Sequence, residues 1–210
     1  YNKKKEISPT GTCLILITPD SERTMVTFLG IAGKINEQDI DDKAVQESKI
    51  IFLEGYLWDK GEPKSAFNKA ISLSNAKAMS LSDQFCVERH KIDFLHLVRN
   101  ELDITFANEQ EIKSLINAKS FDDVIEFGKQ LGKILVVTRG GQGSVAIKNQ
   151  EVLECQSKPN LEIIDLTGAG DLFAAGFLHG FINKLSIKES LENGTIMSSK
   201  IIQKIGARLD

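Results

Sequence analysis

Residues 163–177 read Ile-Ile-Asp-Leu-Thr-Gly-Ala-Gly-Asp-Leu-Phe-Ala-Ala-Gly-Phe. The apolar pair predicts the end of a strand, the small residues a turn, and the pattern beyond Asp171 a helix. Gly168, Ala169 and Gly170 leave backbone N–H groups unobstructed at a helix N-terminus, where free amides and the helix dipole favour an anion. Asp171 falls at the same end. Alone it reads as a residue that caps the helix and complements the dipole. Beside an anion cradle it reads as a base: amides hold charge on a transferring phosphoryl group while a nearby carboxylate accepts the proton of the attacking hydroxyl.

Outward from this motif, short apolar runs alternate with helical patterns. Ile50–Leu53 is a short apolar run suited to a buried strand, Ala78–Leu81 and Ile104–Ala107 read as further short strands, and Ile134–Thr138 is continuously apolar, as a sheet covered on both faces requires. Between them helices are expected from Pro63 to about Lys77, over Phe85–Arg99, near Glu109–Asn117 and over Asp122–Leu131. Pro63 suits a helix start because its missing N–H costs nothing there. Ser144–Lys148 and Glu151–Cys155 flank Asn149-Gln150 as an antiparallel hairpin, and helices over about Asp171–Lys184 and Ile187–Ile205 follow. This alternation predicts an α/β fold with a largely parallel central sheet. Thr12–Ile17 and Thr24–Leu29, joined by Thr18-Pro19-Asp20-Ser21, predict a separate hairpin. Gly176 and Gly180, four residues apart, are expected to let their helix approach the sheet closely.

Composition narrows the function classes. Hydrophobic residues make up 41% and charged residues 26%, ordinary for a globular protein. A net charge of −3 gives no electrostatic reason to expect nucleic acid or an acidic membrane as partner. No apolar run approaches the roughly 18 residues of a membrane helix. The basic run Lys3–Lys5 reads as a solvated terminal segment. Cys13, Cys86 and Cys155 are odd in number and lack C-x-x-C spacing, so free thiols in a reducing cytosol are expected. His90, His96 and His179 lack metal-site spacing, and neither G-x-S-x-G nor a Cys/His constellation points to a hydrolase. The chain opens at Tyr1 without an initiator Met, so a piece of a longer protein is expected.

Asp165, Gly168, Ala169, Gly170 and Asp171 match the D-x-x-G-A-G-D signature of the ribokinase (PfkB) family of carbohydrate kinases, which the chain resembles over nearly its whole length. The resemblance implies a ribokinase-like fold: part of a small β lid over residues 1–30, and an α/β nucleotide-binding core over residues 31–210. It implies an ATP-dependent kinase for a nucleoside or sugar hydroxyl, with Asp171 as general base and the Gly168–Gly170 amides as anion hole. It also implies a monovalent cation, K⁺, near Asp165 and Thr167. Asn108-Glu109-Gln110-Glu111 matches the family's N-x-x-E element, which associates Asn108 and Glu111 with Mg²⁺ and the phosphates of ATP. Mg²⁺ keeps most of its waters, so a carboxylate acting through water is chemically reasonable. On its own, N-x-x-E reads as a helix cap.

Thr138-Arg139-Gly140-Gly141-Gln142-Gly143 resembles the family's ATP loop of the T-x-G-x-x-G type, which assigns Thr138, Arg139, Gly140 and Gly143 to the nucleotide. The overlapping Gly141–Ala146 also satisfies the dinucleotide fingerprint G-x-G-x-x-A, but that fingerprint needs a following helix and Ser144–Ile147 reads as strand. No G-x-x-x-x-G-K-[ST] loop is present. Asn193 to Ser198 is expected to border the adenine by the same resemblance, and ordinary helix packing accounts for it equally.

Thr10–Cys13, Pro19–Met25, Glu54-Gly55-Tyr56 and Ser80–Asp83 resemble the adenosine-kinase-like branch. In that branch an aromatic residue after the Leu-Ser element lies against the nucleoside; Phe85 matches, and it fits core packing equally well. Arg23 is a phosphate contact by resemblance and a solvated hairpin residue by position. The family's N-terminal Gly-Gly-Asn element has no match here. A sugar kinase and a non-catalytic nucleotide-binding homologue stand as alternatives. The expected partner is a small molecule, not nucleic acid or membrane, and the expected state is a cytoplasmic monomer or homodimer.

Overall fold

A computed structural model describes residues 8–58 and 62–209; Lys3–Lys5 lies outside them. In chain order the elements are β1 (Thr12–Ile17), β2 (Arg23–Phe28), α1 (Asp42–Glu47), β3 (Ile51–Glu54), α2 (Pro63–Leu73), β4 (Lys77–Ser80), α3 (Gln84–Arg89) and α4 (Lys91–His96). They continue as β5 (Ile104–Asn108), α5 (Glu109–Ile116), α6 (Phe121–Leu131), β6 (Ile134–Thr138), β7 (Ser144–Lys148), β8 (Glu151–Cys155), α7 (Ala169–Ile182) and α8 (Ile187–Ile201).

Strands β3 to β8 form one six-stranded sheet whose spatial order is the chain order. Neighbours from β3 to β6 pair in parallel, and β7 and β8 are added antiparallel. The strand period of two sorts the apolar runs between the two faces. Ile104, Phe106, Ile134, Val136 and Ala146 pack with Phe173, Phe177 and Leu191 of α7 and α8. Leu135, Val137, Val145 and Ile147 join the cluster that holds Phe94, Ile112 and Leu115 from α4 and α5. Coverage on both faces is why β6 reads as an unbroken apolar run from Ile134 to Val137.

The expected hairpin is present as a separate two-stranded sheet of β1 and β2. Ile15 lies opposite Met25 and Ile17 opposite Arg23; on the other face, Leu14 lies opposite Val26, and both are well exposed. At the hairpin tip Ser21 Oγ donates to the Ile163 carbonyl at 2.8 Å, a contact spanning 142 residues of sequence.

Three expectations change, and one element lies outside them. The helix expected over Phe85–Arg99 is broken at His90 (φ −117°, ψ 24°), which ends α3 and begins α4, and Leu97–Glu101 forms a π-helical turn. The bends bring Val87, Phe94 and Val98 into the same buried cluster. Ile163–Ile164 is not a strand, because the Ile164 N–H donates to the Ile202 carbonyl beyond α8 at 2.8 Å instead of to a sheet neighbour. The short, largely exposed α1 escapes an apolar-periodicity reading; its local signal is Asp41, which accepts from the Ala44 N–H as a cap. Gly176 and Gly180 face α8 and not the sheet. A Cβ on Gly176 would lie 2.6 Å from the Asn193 carbonyl oxygen, and one on Gly180 would lie 2.8 Å from Ser190 Oγ.

Candidate active site

The parallel strands β3 to β6 end on one edge of the sheet in polar residues: Glu54, Ser80, Asn108 and Thr138. Open α/β sheets bind ligands beyond these carboxyl ends. Two cavities lie there. The first, of about 410 Å³, is lined by Glu54, Tyr56, Glu111 and Asp171, with Ile15 and Arg23 contributed by the hairpin. The second, of about 400 Å³, lies between the Thr138–Gly143 loop and helices α7 and α8. Thr138, Gly170 and Phe173 line both. The Gly-rich turn is therefore a shared wall, and Asp171 faces the first cavity.

That turn is organised from beneath. Asp165, only 1% exposed, accepts from the Thr167 N–H at 2.8 Å and from the Thr167 hydroxyl at 2.6 Å. Its other oxygen accepts from the Gly206 N–H at 2.9 Å. Burial pushes the Asp165 carboxyl up, but these bonds and the Arg23 charge together hold it below the ordinary carboxylate value. Gly168, at φ +78°, is the N-cap of α7. Ala169 differs from expectation: its N–H closes the turn onto the Leu166 carbonyl at 3.2 Å. The N–H groups of Gly168 and Gly170 have no protein partner among the described residues. A Cβ built on Gly170 meets nothing within 4 Å, so the space beside that residue is open.

Asn108 and Glu111 lock one another at the start of α5. Asn108 Oδ1 accepts from the Glu111 N–H at 2.8 Å, while Glu111 Oε2 accepts from the Asn108 N–H at 2.9 Å and Oε1 from Asn108 Nδ2 at 2.6 Å. The capping reading is thus realised, and Glu111 still lines the first cavity. Burial, with help from the Asp83 charge, pushes its carboxyl up to about 7 against the Asn108 bonds.

Glu54, Tyr56 and Ser82 also line this cavity, though no motif assigned them a role. Ser82 Oγ donates to Glu54 Oε2 at 2.8 Å, and Tyr56 Oη donates to the Ser82 carbonyl at 3.2 Å. Burial, with the charges of Asp171 and Glu111, pushes Glu54 up to about 7, opposed by the Ser82 bond. The available signal was position: Glu54 ends a parallel strand, directly opposite Ser80.

Gly140 and Gly143 are among the residues that line the second cavity. Gly143 sits at φ +88°, and a Cβ there would lie 2.1 Å from the Cys155 carbonyl oxygen, so a side chain is excluded. The loop runs into β7 and not a helix, which removes the dinucleotide fingerprint. Arg139 turns elsewhere: its Nε donates to Glu109 at 2.7 Å and its guanidinium lies 3.7 Å from the centre of the Phe121 ring. Asn193 is not in the lining; its backbone abuts Gly176, and Thr195, Ser198 and Ser199 of the same helix face the cavity instead. Phe85, 73% exposed, lines neither cavity and is not in the core. Among the described residues, no group of three or more His, Cys, Asp or Glu is arranged to hold a metal by itself, and no helix is long and apolar enough to cross a membrane.

The site is thus a Gly-rich turn beside a carboxylate, at the carboxyl edge of a mixed α/β sheet, with residues of a small hairpin in its lining. The chain belongs to the pfkB family of carbohydrate kinases, whose sequence model matches residues 1–210. It is similar to the crystal structure of adenosine kinase from Sinorhizobium meliloti, with 37% identity and a TM-score of 0.93, over 96% of this chain and 63% of that one. It is similar also to a probable sugar kinase from Rhizobium etli, with 35% identity and a TM-score of 0.95, over 98% and 64%. An uncharacterized sugar kinase of Archaeoglobus fulgidus is 25% identical over 201 residues, 95% of this chain and 79% of that protein. The chain thus spans somewhat under two thirds of the two structures.

Proposed function

We propose that the protein is an ATP-dependent kinase that phosphorylates a hydroxyl of a nucleoside or sugar, with adenosine as the foremost candidate. The observation that carries this is the shared wall: Gly170, whose N–H has no protein partner among the described residues, lines both cavities, and Asp171 beside it faces only one. A nucleotide in the second cavity would present its terminal phosphate at that wall, and an acceptor in the first would meet it from the other side. The acceptor hydroxyl gives its proton to Asp171 as its oxygen attacks the γ-phosphorus. The new O–P bond forms as the bond to the β-phosphate oxygen breaks, and ADP leaves. The Gly168 and Gly170 amides stabilise the charge that develops on the transferring group.

The lining of the first cavity carries three carboxylates, Glu54, Glu111 and Asp171, against the single cationic side chain Arg23. Phosphates entering such a place need counter-charge, so the donor set fits a divalent cation. Bound Mg²⁺ would neutralise charge on the phosphates. Glu111, each oxygen of which already accepts one hydrogen bond, would hold it through water, with Asn108 fixing that carboxylate. Asp165, kept ionised while buried, and Thr167 fit a K⁺ ion beside the turn. Arg23 reaches the first cavity and suits a phosphate contact.

The test is ADP release from ATP and Mg²⁺ with adenosine, ribose or fructose as acceptor, in potassium and in a bulky organic cation at equal ionic strength. Adenosine-dependent turnover, faster in potassium, is the expected result. Turnover with a sugar alone would move the assignment to the sugar kinases, and ADP binding without turnover on any acceptor would mean a non-catalytic homologue.

A further inference from the structure

Ser144 opens β7 immediately after Gly143, and the strand period places its side chain on the same face as Ala146, toward Phe173 and helix α8. It lines the second cavity and is only 2% exposed, yet its Oγ has no hydrogen-bond partner among the described residues. Buried hydroxyls are nearly always paired, because desolvating one without a partner is unfavourable. An alanine would serve the strand at least as well, so packing does not explain the serine. Near it Thr195, also buried and in the same lining, donates to Cys155 Sγ at 3.3 Å, a weak acceptor. Much of the remaining wall is apolar: Leu161, Ile163, Leu166, Phe173 and Ile202. The cavity is therefore an apolar slot with one unpaired hydroxyl in its buried wall.

We propose that Ser144 is a nucleobase-binding residue: the base of the donor nucleotide lies in this slot and its polar edge completes the hydrogen bonding of Ser144 Oγ. The inference rests on the reading that the second cavity takes the nucleotide. Apolar walls suit the faces of a heteroaromatic ring, whereas the ring's edge needs a polar partner. The phosphates are drawn to the opposite requirement, the unpartnered N–H groups of Gly168 and Gly170.

The experiment compares the protein with Ser144→Ala by calorimetric titration of ADP and of pyrophosphate, and by melting each without ligand. The variant should bind ADP about 3- to 10-fold more weakly, the range for one net hydrogen bond, and bind pyrophosphate unchanged. Without ligand it should melt at the same or a higher temperature, since an unpaired buried hydroxyl has been removed. A lower melting temperature would show that Ser144 has an internal partner and overturn the proposal. Equal ADP affinity would overturn it too, leaving the nucleotide reading intact. An equal loss for ADP and pyrophosphate would place the hydroxyl at the phosphates and refute the base assignment. Failure of the unaltered protein to bind ADP would remove the nucleotide reading and this inference with it.

Discussion

The two cavities meet at Gly170 but are built from opposite materials. The second is shaped by backbone and apolar side chains: the Gly140–Gly143 loop, the open turn and the wall of Leu161, Phe173 and Ile202. The first is shaped by ionisable and polar side chains, Glu54, Tyr56, Glu111 and Asp171, beneath a hairpin. On the proposed function, the difference separates two jobs. Backbone amides recognise phosphate, a group common to every donor nucleotide, without committing to an acceptor. Side chains at strand ends vary freely without disturbing the sheet, so the acceptor side is where a kinase on this scaffold can be specialised.

The sharpest way to break the comparison is at its boundary. Asp171→Asn should lower kcat by about 100- to 10,000-fold, the range for a positioned base, while ADP affinity measured by calorimetry stays within about twofold, less than one net hydrogen bond is worth. A comparable loss of both would mean that Asp171 belongs to the nucleotide side.

Glu111→Gln tests the acidic side next. It should raise the Mg²⁺ concentration for half-maximal turnover several-fold, because a water-mediated carboxylate contact is weakened. An identical Mg²⁺ titration would leave Glu111 as a cap only.

The same side should make stability depend on pH. Burial raises the Glu54 and Glu111 carboxyls to about 7 in the folded protein from an ordinary value of 4.5. The folded state therefore binds their protons more tightly than the unfolded chain does. Their contribution is fully present below about 4.5 and is lost as pH rises through 7. Without ligand, the melting temperature should fall between pH 5 and 8 more steeply than in the Glu54→Gln/Glu111→Gln double variant. Added Mg²⁺ should recover part of the loss above pH 7. Parallel slopes for the two proteins would contradict the assignment.

The smallest expected effect is at Arg139. With its side chain committed to Glu109 and Phe121, Arg139→Ala should lower stability by about 1 kcal/mol, as a partly exposed ion pair with a cation–π contact implies. ADP affinity should hardly move. A marked loss of ADP affinity would return this side chain to the nucleotide.

The same contrast governs what could be read from the sequence. Asp165 to Asp171 announced itself because a tight turn at a helix start demands particular small residues in a fixed order, all within one local segment. Gly143 likewise marks a place where only glycine fits. Glu54 and Ser82 carry no local signal, because their meaning depends on parallel pairing of β3 with β4 across 26 residues. Phe85 is hard to read for a related reason. An aromatic residue at a helix start has no local signal for which way it points, and here it points to solvent. The break at His90 was invisible because both halves of the 84–96 segment keep an apolar stripe facing the same cluster.

The sheet's order has a kinetic meaning. From β3 to β8 each strand lies beside its predecessor in the chain, so every pairing closes a loop of modest length and the sheet can grow by successive addition. The Ser21–Ile163 contact is of another kind, since it joins positions 142 residues apart and requires the segment before α7 to be already in place. Closing that long loop brings the reward of one exposed hydrogen bond. In pulse-labelled refolding the β1–β2 hairpin should therefore be among the last segments to gain protection, and protection there should report that the chain beneath it has finished assembling.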